Sequence, residues 1–486
     1  MDEKKITRGD LKKITESMYE ISESYREDMK VPVRVFMNEA MMDDVLSDRA
    51  LEQLVNVSTL PGIEIAAFGM PDIHQGYGFP IGGVAGTDIN NGGVISPGGI
   101  GYDINCGVRL LSVNMTAQEI APYLEKLATR LFHKVPSGVG RGGTLNFSPE
   151  ELDAILKQGA PRMLELGYGT FEDIALCEEQ GCMPEADPFL ISQKAKQRGS
   201  DQIGTLGSGN HFLEVQAVDE IYDEEVARVF GLAKDQVTVM IHCGSRGLGH
   251  QTCTDYVRMM MKKLPEWGYQ LPDRELIYAP FKSPEGQEYF KAMAAAANYA
   301  WANRHMIGHW VRESFQEIIG DQATVSMVYD ISHNLGKVEK HELHGSQKEL
   351  VLHRKGATRA FGPARKEVAE KYREVGQPVL IPGTMGTSSY ILAGTEHSME
   401  VAFGSSCHGA GRRLSRAQAK KKVRGSQLRQ ELQKRGIIIR SDSDPGLAEE
   451  APLAYKDVDN VVSVVQDAGL AKKVARVRPI AVIKGG

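Results

Sequence analysis

Ser96-Pro97-Gly98-Gly99-Ile100-Gly101-Tyr102-Asp103-Ile104-Asn105-Cys106-Gly107-Val108-Arg109 places a carboxylate and a thiol three residues apart on a backbone bent by glycine. Gly98, Gly99, Gly101 and Gly107 permit turns that a β-carbon forbids. Asp103 and Cys106 can therefore be aimed at one metal ion, the oxygen as a hard ligand and the sulfur as a soft one. Spacing alone is a weak signal, because Asp-x-x-Cys is more often a turn carboxylate beside a buried thiol. The metal reading gains from what recurs downstream in similar Gly/Ser-rich settings: Asn210-His211, His242-Cys243-Gly244, His333-Asn334 and Cys407-His408-Gly409.

A chain of 486 residues is long enough for two or three domains or for one large enzyme. Its 42% hydrophobic and 25% charged residues are ordinary for a globular protein. A net charge of −6 excludes a surface coated in basic residues, so a nucleic-acid partner requires a local basic patch. The 51 glycines cluster around histidines and cysteines, which suits backbone packed close to ligands. Six cysteines form no dense framework, and with 13 histidines they favour a reducing compartment and metal or thiol chemistry. The charged start lacks the apolar stretch of a signal peptide, and no apolar run is long enough to span a bilayer. The expectation is a cytoplasmic protein with no membrane partner.

Residues 1–30 are charged and helix-prone, 31–36 alternate as a strand does, and 38–55 return to helical spacing. Residues 69–80 are turn-rich, and within them Asp72 and His74 read as loop side chains capping nearby backbone, with substrate contact the rival reading. Residues 136–200 read as an irregular insertion holding an acidic helix from Pro149. Its Cys177 and Cys182, five apart with no matching pair, read as structural thiols. Residues 237–241 and 324–331 are short buried strands leading to His242 and His333, and strand ends are a common way to deliver functional side chains rigidly.

The clearest helix covers 287–319. His305 and His309 lie one turn apart on it, but Met306 breaks the His-Glu-x-x-His pattern. Met293, Ala297 and Trp301 continue the same stripe, so these histidines read as packing residues. A second, basic helix is expected over 412–435, with Arg412, Arg413, Arg416, Lys420, Lys421, Lys422, Arg424 and Arg429. Beginning four residues after His408 in an acidic chain, it suits a phosphate-facing role. The chain closes on a strand-like run at 474–483 and Lys484; a lysine so near a terminus is ordinarily exposed and inert.

Asp103, Cys106, His211, His242 and His333 are too many ligands for one tetrahedral site. They suit two ions sharing a bridging ligand, and a thiolate such as Cys106 has lone pairs for both. Paired divalent ions are a recurring device for chemistry at phosphorus. His408 stands apart among small residues beside Arg412 and Arg413, where a phosphate can approach and an imidazole nitrogen can attack it. The residues alone reach a binuclear-metal enzyme acting on phosphate esters, with simple hydrolysis of cyclic phosphates as the competing class.

Gly101 to Arg109, Gly207-Ser208-Gly209-Asn210-His211-Phe212-Leu213-Glu214, His242-Cys243-Gly244-Ser245-Arg246-Gly247 and Cys407-His408-Gly409-Ala410-Gly411-Arg412 closely resemble the RtcB family of tRNA-splicing RNA ligases. The resemblance runs in order from about residue 71 to residue 484. It implies an α+β fold built as a single catalytic unit over residues 1–486, in place of two or three domains. It implies a GTP- and Mn²⁺-dependent enzyme that joins RNA 3′-phosphate or 2′,3′-cyclic phosphate ends to 5′-hydroxyl ends. Its substrates would be tRNA halves or broken RNA, and several members of the family depend on an Archease-type activating protein.

Carried over by motif, Cys106 would bridge two manganese ions, Asp103 and His211 completing one site and His242 and His333 the other. His408 would be the histidine that becomes guanylylated, and Gly409, Ala410 and Gly411 after it, with His211 and His333, would also contact the nucleotide. Asn210, Glu214, Asn334, the Pro382-Gly383-Thr384-Met385 turn, Ser389 and Lys484 would hold the guanine nucleotide, and Tyr455 would offer the base an aromatic face. Thr384 stands where the family is associated with Ser, a change that keeps the hydroxyl.

Overall fold

Alternating apolar residues build two large sheets in the computed structural model, which describes residues 5–485. In one, Val325–Ser332, Gly107–Thr116, Gln236–Cys243, Phe212–Ile221, Ala471–Ile483, Ser389–Gly394 and Pro378–Ile381 lie side by side, each neighbour antiparallel. Ile438–Arg440 pairs parallel to the end of Ala471–Ile483. The central strands carry Val and Ile on both faces, the pattern of strands covered on both sides. One cover is the helix Pro284–Ile318, 35 residues and so about 50 Å long. Its run Ala294 to Ala297 is wholly buried, the small side chains letting it pack closely.

The second sheet orders Lys12–Thr15, Met18–Ile21, Val33–Phe36, Ile63–His74, Ile81–Asp88, Ser346–Lys355 and Asn334–Leu343. Only Val33–Phe36 and Ile63–His74 run parallel within it. The chain passes from the first sheet to the second through a single residue, His333, between Ser332 and Asn334. A ribbon of Ala357–Arg359 and Ser405–Cys407 then delivers His408 beside that junction. Gly107 pairs with both Cys243 and Ser332, and Phe212 pairs with His242, so these strand ends meet at one end of the first sheet. This register gathers the residues just beyond or at those ends, Cys106, His211, His242 and His333.

Several local expectations are corrected. Residues 5–30 hold the strands Lys12–Thr15 and Met18–Ile21 with single 3₁₀ turns at Arg8–Asp10 and Glu23–Tyr25 in place of an α-helix, because Tyr19 and Ile21 alternate inward and the charged residues occupy a sheet edge; residues 1–4 lie outside the described part. The helical stretch at 38–55 is two short helices, Met42–Leu46 and Ala50–Val57. Asp72 and His74 lie on the strand Ile63–His74, not in a loop. The segment 136–200 contains the helices Pro149–Gln158, Ala160–Glu165, Phe171–Ala175 and Gln193–Gly199, which pack around the long helix and its neighbour Arg246–Trp267. The basic stretch is two helices, Arg416–Lys422 and Gly425–Lys434, parted at Val423 and Arg424. The long helix and the strands ending before His242 and His333 form as expected. No helix among the described residues is long and apolar enough to cross a membrane.

Candidate metal centre and nucleotide pocket

Two groups of metal-type ligands meet at Cys106: Cys106, His242 and His333 form one, and Asp103, Cys106 and His211 the other, with ligand atoms in each within 4.8 Å of one another. Cys106 Sγ lies 3.3 Å from His242 Nε2 and 3.4 Å from His211 Nε2. His242 Nε2 is 3.2 Å from His333 Nε2, and His211 Nε2 is 2.8 Å from Asp103 Oδ2. The loop reaches this geometry through Asn105, whose φ of 53° lies in the left-handed region that Asn tolerates. Its side chain is pinned by Ser332 Oγ at 2.7 Å and by Arg304 at 3.1 Å. Gly244 is required for a different reason: a β-carbon there would stand 2.3 Å from Asp103 Oδ1.

Arg304, fully buried on the long helix, ties the ligand loops together. Its guanidinium donates to the carbonyls of Asn105 at 2.6 Å and Cys243 at 3.0 Å, and pairs with Asp330. Asp330 also pairs with the equally buried Arg109 at 2.8 Å. Leaving one of these charges without its partner costs about 3–5 kcal/mol, so the network fixes the loops at the sheet edge.

The electrostatics fit a divalent cation. Burial, with the charge of Asp103, pushes the Cys106 thiol up to about 12, so a cation must displace its proton. Burial and neighbouring cationic groups hold His242 and His333 well below the ordinary histidine value, leaving neutral imidazoles with a lone pair to give. Burial opposes ionisation of Asp103, but His211 outweighs it and brings the carboxyl down to about 2. His333 Nδ1 is buried without a hydrogen-bond partner among the described residues, a cost of about 1–3 kcal/mol unless a cation engages the ring. Cys243 Sγ approaches His211 Nδ1 at 3.7 Å and helps fix that ring's orientation. One sulfur, three imidazoles and one carboxylate suit divalent first-row ions as a class.

His408 packs on this centre, its ring 4.8 Å from that of His333. Its Nδ1 lies 2.6 Å from Asp72 Oδ2, and the backbone N–H groups of His408 and Gly409 donate to the same oxygen at 3.1 and 3.2 Å. A carboxylate only accepts, so Nδ1 is the donor, and in the neutral ring the lone pair lies on Nε2. Asp72 is wholly buried. This corrects its reading as a loop residue: it does accept from backbone, but from a segment far along the chain, and it orients an imidazole as well. Next to His408 a cavity opens between Ile81, Phe212, the turn at 382–385, Tyr455 and Lys484.

Residues 53–485 match the family described as "RtcB: tRNA-splicing ligase RtcB". The protein named tRNA-splicing ligase RtcB of Archaeoglobus fulgidus is 55% identical over 480 residues, covering 98% of this chain and 99% of that protein. The one of Thermococcus kodakarensis is 54% identical over 478 residues, with 98% and 99% covered. The one of Pyrococcus abyssi is 56% identical over 384 residues, which are 78% of this chain and 42% of that longer protein. The chain belongs to the RtcB family. Its α+β architecture of helices and several sheets is the one expected from the resemblance.

Within this RtcB-family ligase, Asn210, Glu214, Thr384, Met385, Tyr455 and Lys484 all line the cavity beside His408, as do Pro382, Gly383 and the run Gly409-Ala410-Gly411. Lys484 is buried, not exposed as its terminal position suggests, and donates to the carbonyls of Gly209 at 2.5 Å and His211 at 3.2 Å. Ser389 sits beneath the turn, accepting from the Gly383 N–H at 3.0 Å. Asn334 does not line the cavity; its amide bridges the Asp103 carbonyl at 3.1 Å and the Gly356 N–H at 2.8 Å, bracing the metal loop. The Tyr455 ring is covered on one side by Arg412, whose guanidinium lies 4.9 Å from its centroid, and its hydroxyl donates to Glu450.

Sequence reasoning missed Asp72, Phe212, Arg416 and Glu450 as site residues. Glu450 pairs with Arg412 and Arg416 across three helices and a strand, and nothing local in sequence marks it. Asp72 had a signal, an acid two residues before His74 in a Gly/Pro-rich stretch, but its partner lies 336 residues away. His305 and His309 pack as expected: His305 bonds the Tyr168 carbonyl at 2.8 Å, and neither joins a metal-type cluster among the described residues. All of Cys177, Cys182 and the other cysteines are free thiols.

Proposed function

We propose that the protein is a GTP- and Mn²⁺-dependent RNA ligase that joins 3′-phosphate or 2′,3′-cyclic phosphate ends to 5′-hydroxyl ends, in tRNA splicing and RNA repair. The observation that carries the reading is His408, held through Nδ1 by Asp72 in the lining of a cavity and packed against His333. A simple phosphoesterase needs the metal ligands but has no use for a carboxylate-oriented histidine facing a second pocket. The proposal includes one catalytic unit over the whole chain, a cytoplasmic setting, and RNA halves or broken RNA as partners, with an Archease-type activator among them.

In this scheme Asp103, Cys106, His211, His242 and His333 would hold two ions, Cys106 belonging to both ligand groups. When bound, the ions supply positive charge against phosphate oxygens. His408 Nε2 forms a bond to the α-phosphorus of GTP, the bond to the β-phosphate oxygen breaks, and pyrophosphate leaves with the electron pair. Asp72 keeps the Nδ1 proton in place and stabilises the charge that develops on the ring. A cyclic end is first opened by water, whose oxygen bonds to phosphorus as the bond to O2′ breaks and O2′ takes up a proton. A terminal 3′-phosphate oxygen then takes GMP from His408 as the phosphorus–nitrogen bond breaks, giving an RNA-pp-G end. The 5′-hydroxyl attacks the RNA phosphorus, loses its proton and expels GMP. Incubation with GTP labelled at the α-phosphate and Mn²⁺ tests the reading: protein-bound label supports it, and cyclic-phosphate hydrolysis without label favours the phosphoesterase.

Glu214 makes nucleotide binding depend on pH. Burial pushes its carboxyl up to about 7, against the opposing pull of Gln216, which donates to it at 2.8 Å, and of Lys484. An ionised carboxylate accepts from two guanine N–H groups at once, whereas the protonated form keeps a weaker, single carbonyl acceptor, so GTP affinity should fall as pH drops below about 7, by at most about 10-fold per pH unit. Titrations between about pH 6 and 8 should show this slope in the wild type and a flat line in Glu214→Gln.

The basic segment is less free than its composition suggests. Arg412 and Arg416 pair with Glu450, Lys420 with Glu449, Arg429 with Asp444 and Arg413 with Asp44. Lys421, Lys422 and Arg424 are exposed and make no ion pair among the described residues. Reversing these three to Glu should weaken RNA binding and flatten its salt dependence by up to about three in the log–log slope, because fewer counterions are released. Unchanged RNA affinity across a salt series would leave the segment a solvated face.

A further inference from the structure

Neither group of metal-type ligands draws a member from the segment 136–200, yet that segment reaches the residue next to His333 through the turn Glu178–Gly181. The strand Val325–Ser332 is outermost in its sheet and pairs only with Gly107–Thr116. Residues 176–178 take the place of a further strand on its open side. The Asp330 N–H donates to the Leu176 carbonyl at 3.2 Å, and the Ser332 N–H donates to Glu178 Oε2 at 2.8 Å. Ser332 and Glu178 are both buried, so this N–H depends on the carboxylate for its hydrogen bond.

The turn is bent so as to aim its acids inward. Glu179 and Gln180 have φ of 53° and 52°, left-handed values that residues other than glycine seldom adopt. Lys337 Nζ donates to Glu178 Oε1 at 2.5 Å and to Glu179 Oε1 at 2.7 Å, and Arg359 donates to the same Glu179 oxygen at 2.7 Å. Lys337 lies on the strand that follows His333, and Arg359 on the ribbon strand paired with Ser405–Cys407. The charge of Lys337 outweighs burial and, with that of Arg359, brings the Glu179 carboxyl down to about 2. One turn thus grips the chain before His333, the chain after it and the ribbon that carries His408.

His333 itself is fixed through its main chain: its N–H donates to the Cys106 carbonyl at 2.9 Å, and its carbonyl accepts from the Ala357 N–H at 3.1 Å. Its ring Nδ1 has no hydrogen-bond partner among the described residues, so the direction of the ring follows from the backbone on either side. We propose that Glu178 is a positioning residue for His333, holding the strand end through the Ser332 N–H and so completing the site of Cys106, His242 and His333, an assignment that rests on the metal reading above. What the Ser332 N–H needs is an acceptor oxygen at the reach of a glutamate side chain. The charge of Glu178 serves Lys337, which keeps a second partner in Glu179.

The test measures Mn²⁺ bound to the full chain across a series of chelator-buffered free concentrations. Glu178→Asp keeps the charge but withdraws it by one methylene; it should hold one ion as the wild type does and the other roughly 10- to 100-fold more weakly. Glu178→Gln loses the charge but keeps an acceptor oxygen at full reach, and should hold both ions like the wild type. The reverse order, with the Gln variant weak and the Asp variant normal, overturns the assignment, because charge and not reach would then be what counts. In a His333→Ala background, Glu178→Asp should weaken the remaining ion no further; a further loss there puts the effect at the other site and also overturns it. Hydrogen exchange at the Ser332 amide reads the bond without any metal: it should be faster in Glu178→Asp than in the wild type, and equal protection overturns the assignment. A wild type that binds two ions while Glu178→Asp binds both equally well loses the positioning role and keeps the metal reading, whereas a wild type that fails to bind two ions overturns that reading first.

Discussion

His408→Ala should take up no label from GTP and should join RNA ends from GTP on the order of 10⁴-fold more slowly or worse, the scale on which loss of a nucleophile is felt. The substitution removes a ring that lies outside both groups of metal ligands, so metal analysis should find the wild-type content. RNA supplied already activated as 3′-pp-G should still be joined, because the remaining step does not use the histidine. The adduct on the wild type should be labile to acid and stable to base, as a phosphorus–nitrogen bond is, unlike a phosphate ester on Ser405 or Ser406. Asp72→Asn gives the companion result. The amide retains the shape but not the charge that fixes the Nδ1 proton, so labelling should slow by roughly 10²- to 10⁴-fold with the label still on His408. Acid-stable label, or normal labelling in His408→Ala, would place the nucleophile elsewhere.

The ligand atoms of the metal centre were legible in sequence because each belongs to a short motif at a strand end, and strand ends in register converge without further help. Cys106 as the shared ligand follows from counting donors, and the geometry has it in both groups. What sequence does not carry is pairing across long separations. Asp72 meets His408 across 336 residues, and Glu450 gathers Arg412 and Arg416 across more than 30, contacts made by tertiary packing alone. The same limit explains the misreading of residues 5–30: charge on an edge strand looks like charge on a helix until the partner strand Val33–Phe36 is in place. Lys484 shows the reverse error. Proximity to the terminus suggests exposure, yet the strand Ala471–Ile483 runs into the sheet interior and carries its last lysine to the cavity.

Cys106→Ser should lose affinity for both metal ions together. The two ligand groups share no other residue, so a change at His333 touches one group and a change at Cys106 touches both. Serine matches cysteine in shape, but its hydroxyl is far less acidic and offers a weaker anionic donor than a thiolate. Even residues that merely support a ligand change metal affinity by about 10- to 100-fold, so losing the shared ligand should cost at least about 100-fold at each site. His333→Ala should instead leave one equivalent tightly held, by Asp103, Cys106 and His211. Metal analysis after dialysis against a weak chelator distinguishes these outcomes, and thermal melting with and without Mn²⁺ gives a second reading, since an ion bound only by the folded chain raises its stability. The wild type and His333→Ala should both gain stability from the metal, and Cys106→Ser should gain almost none. Two equivalents retained by Cys106→Ser would remove the bridge, and the two groups of ligands would then belong to ions held independently.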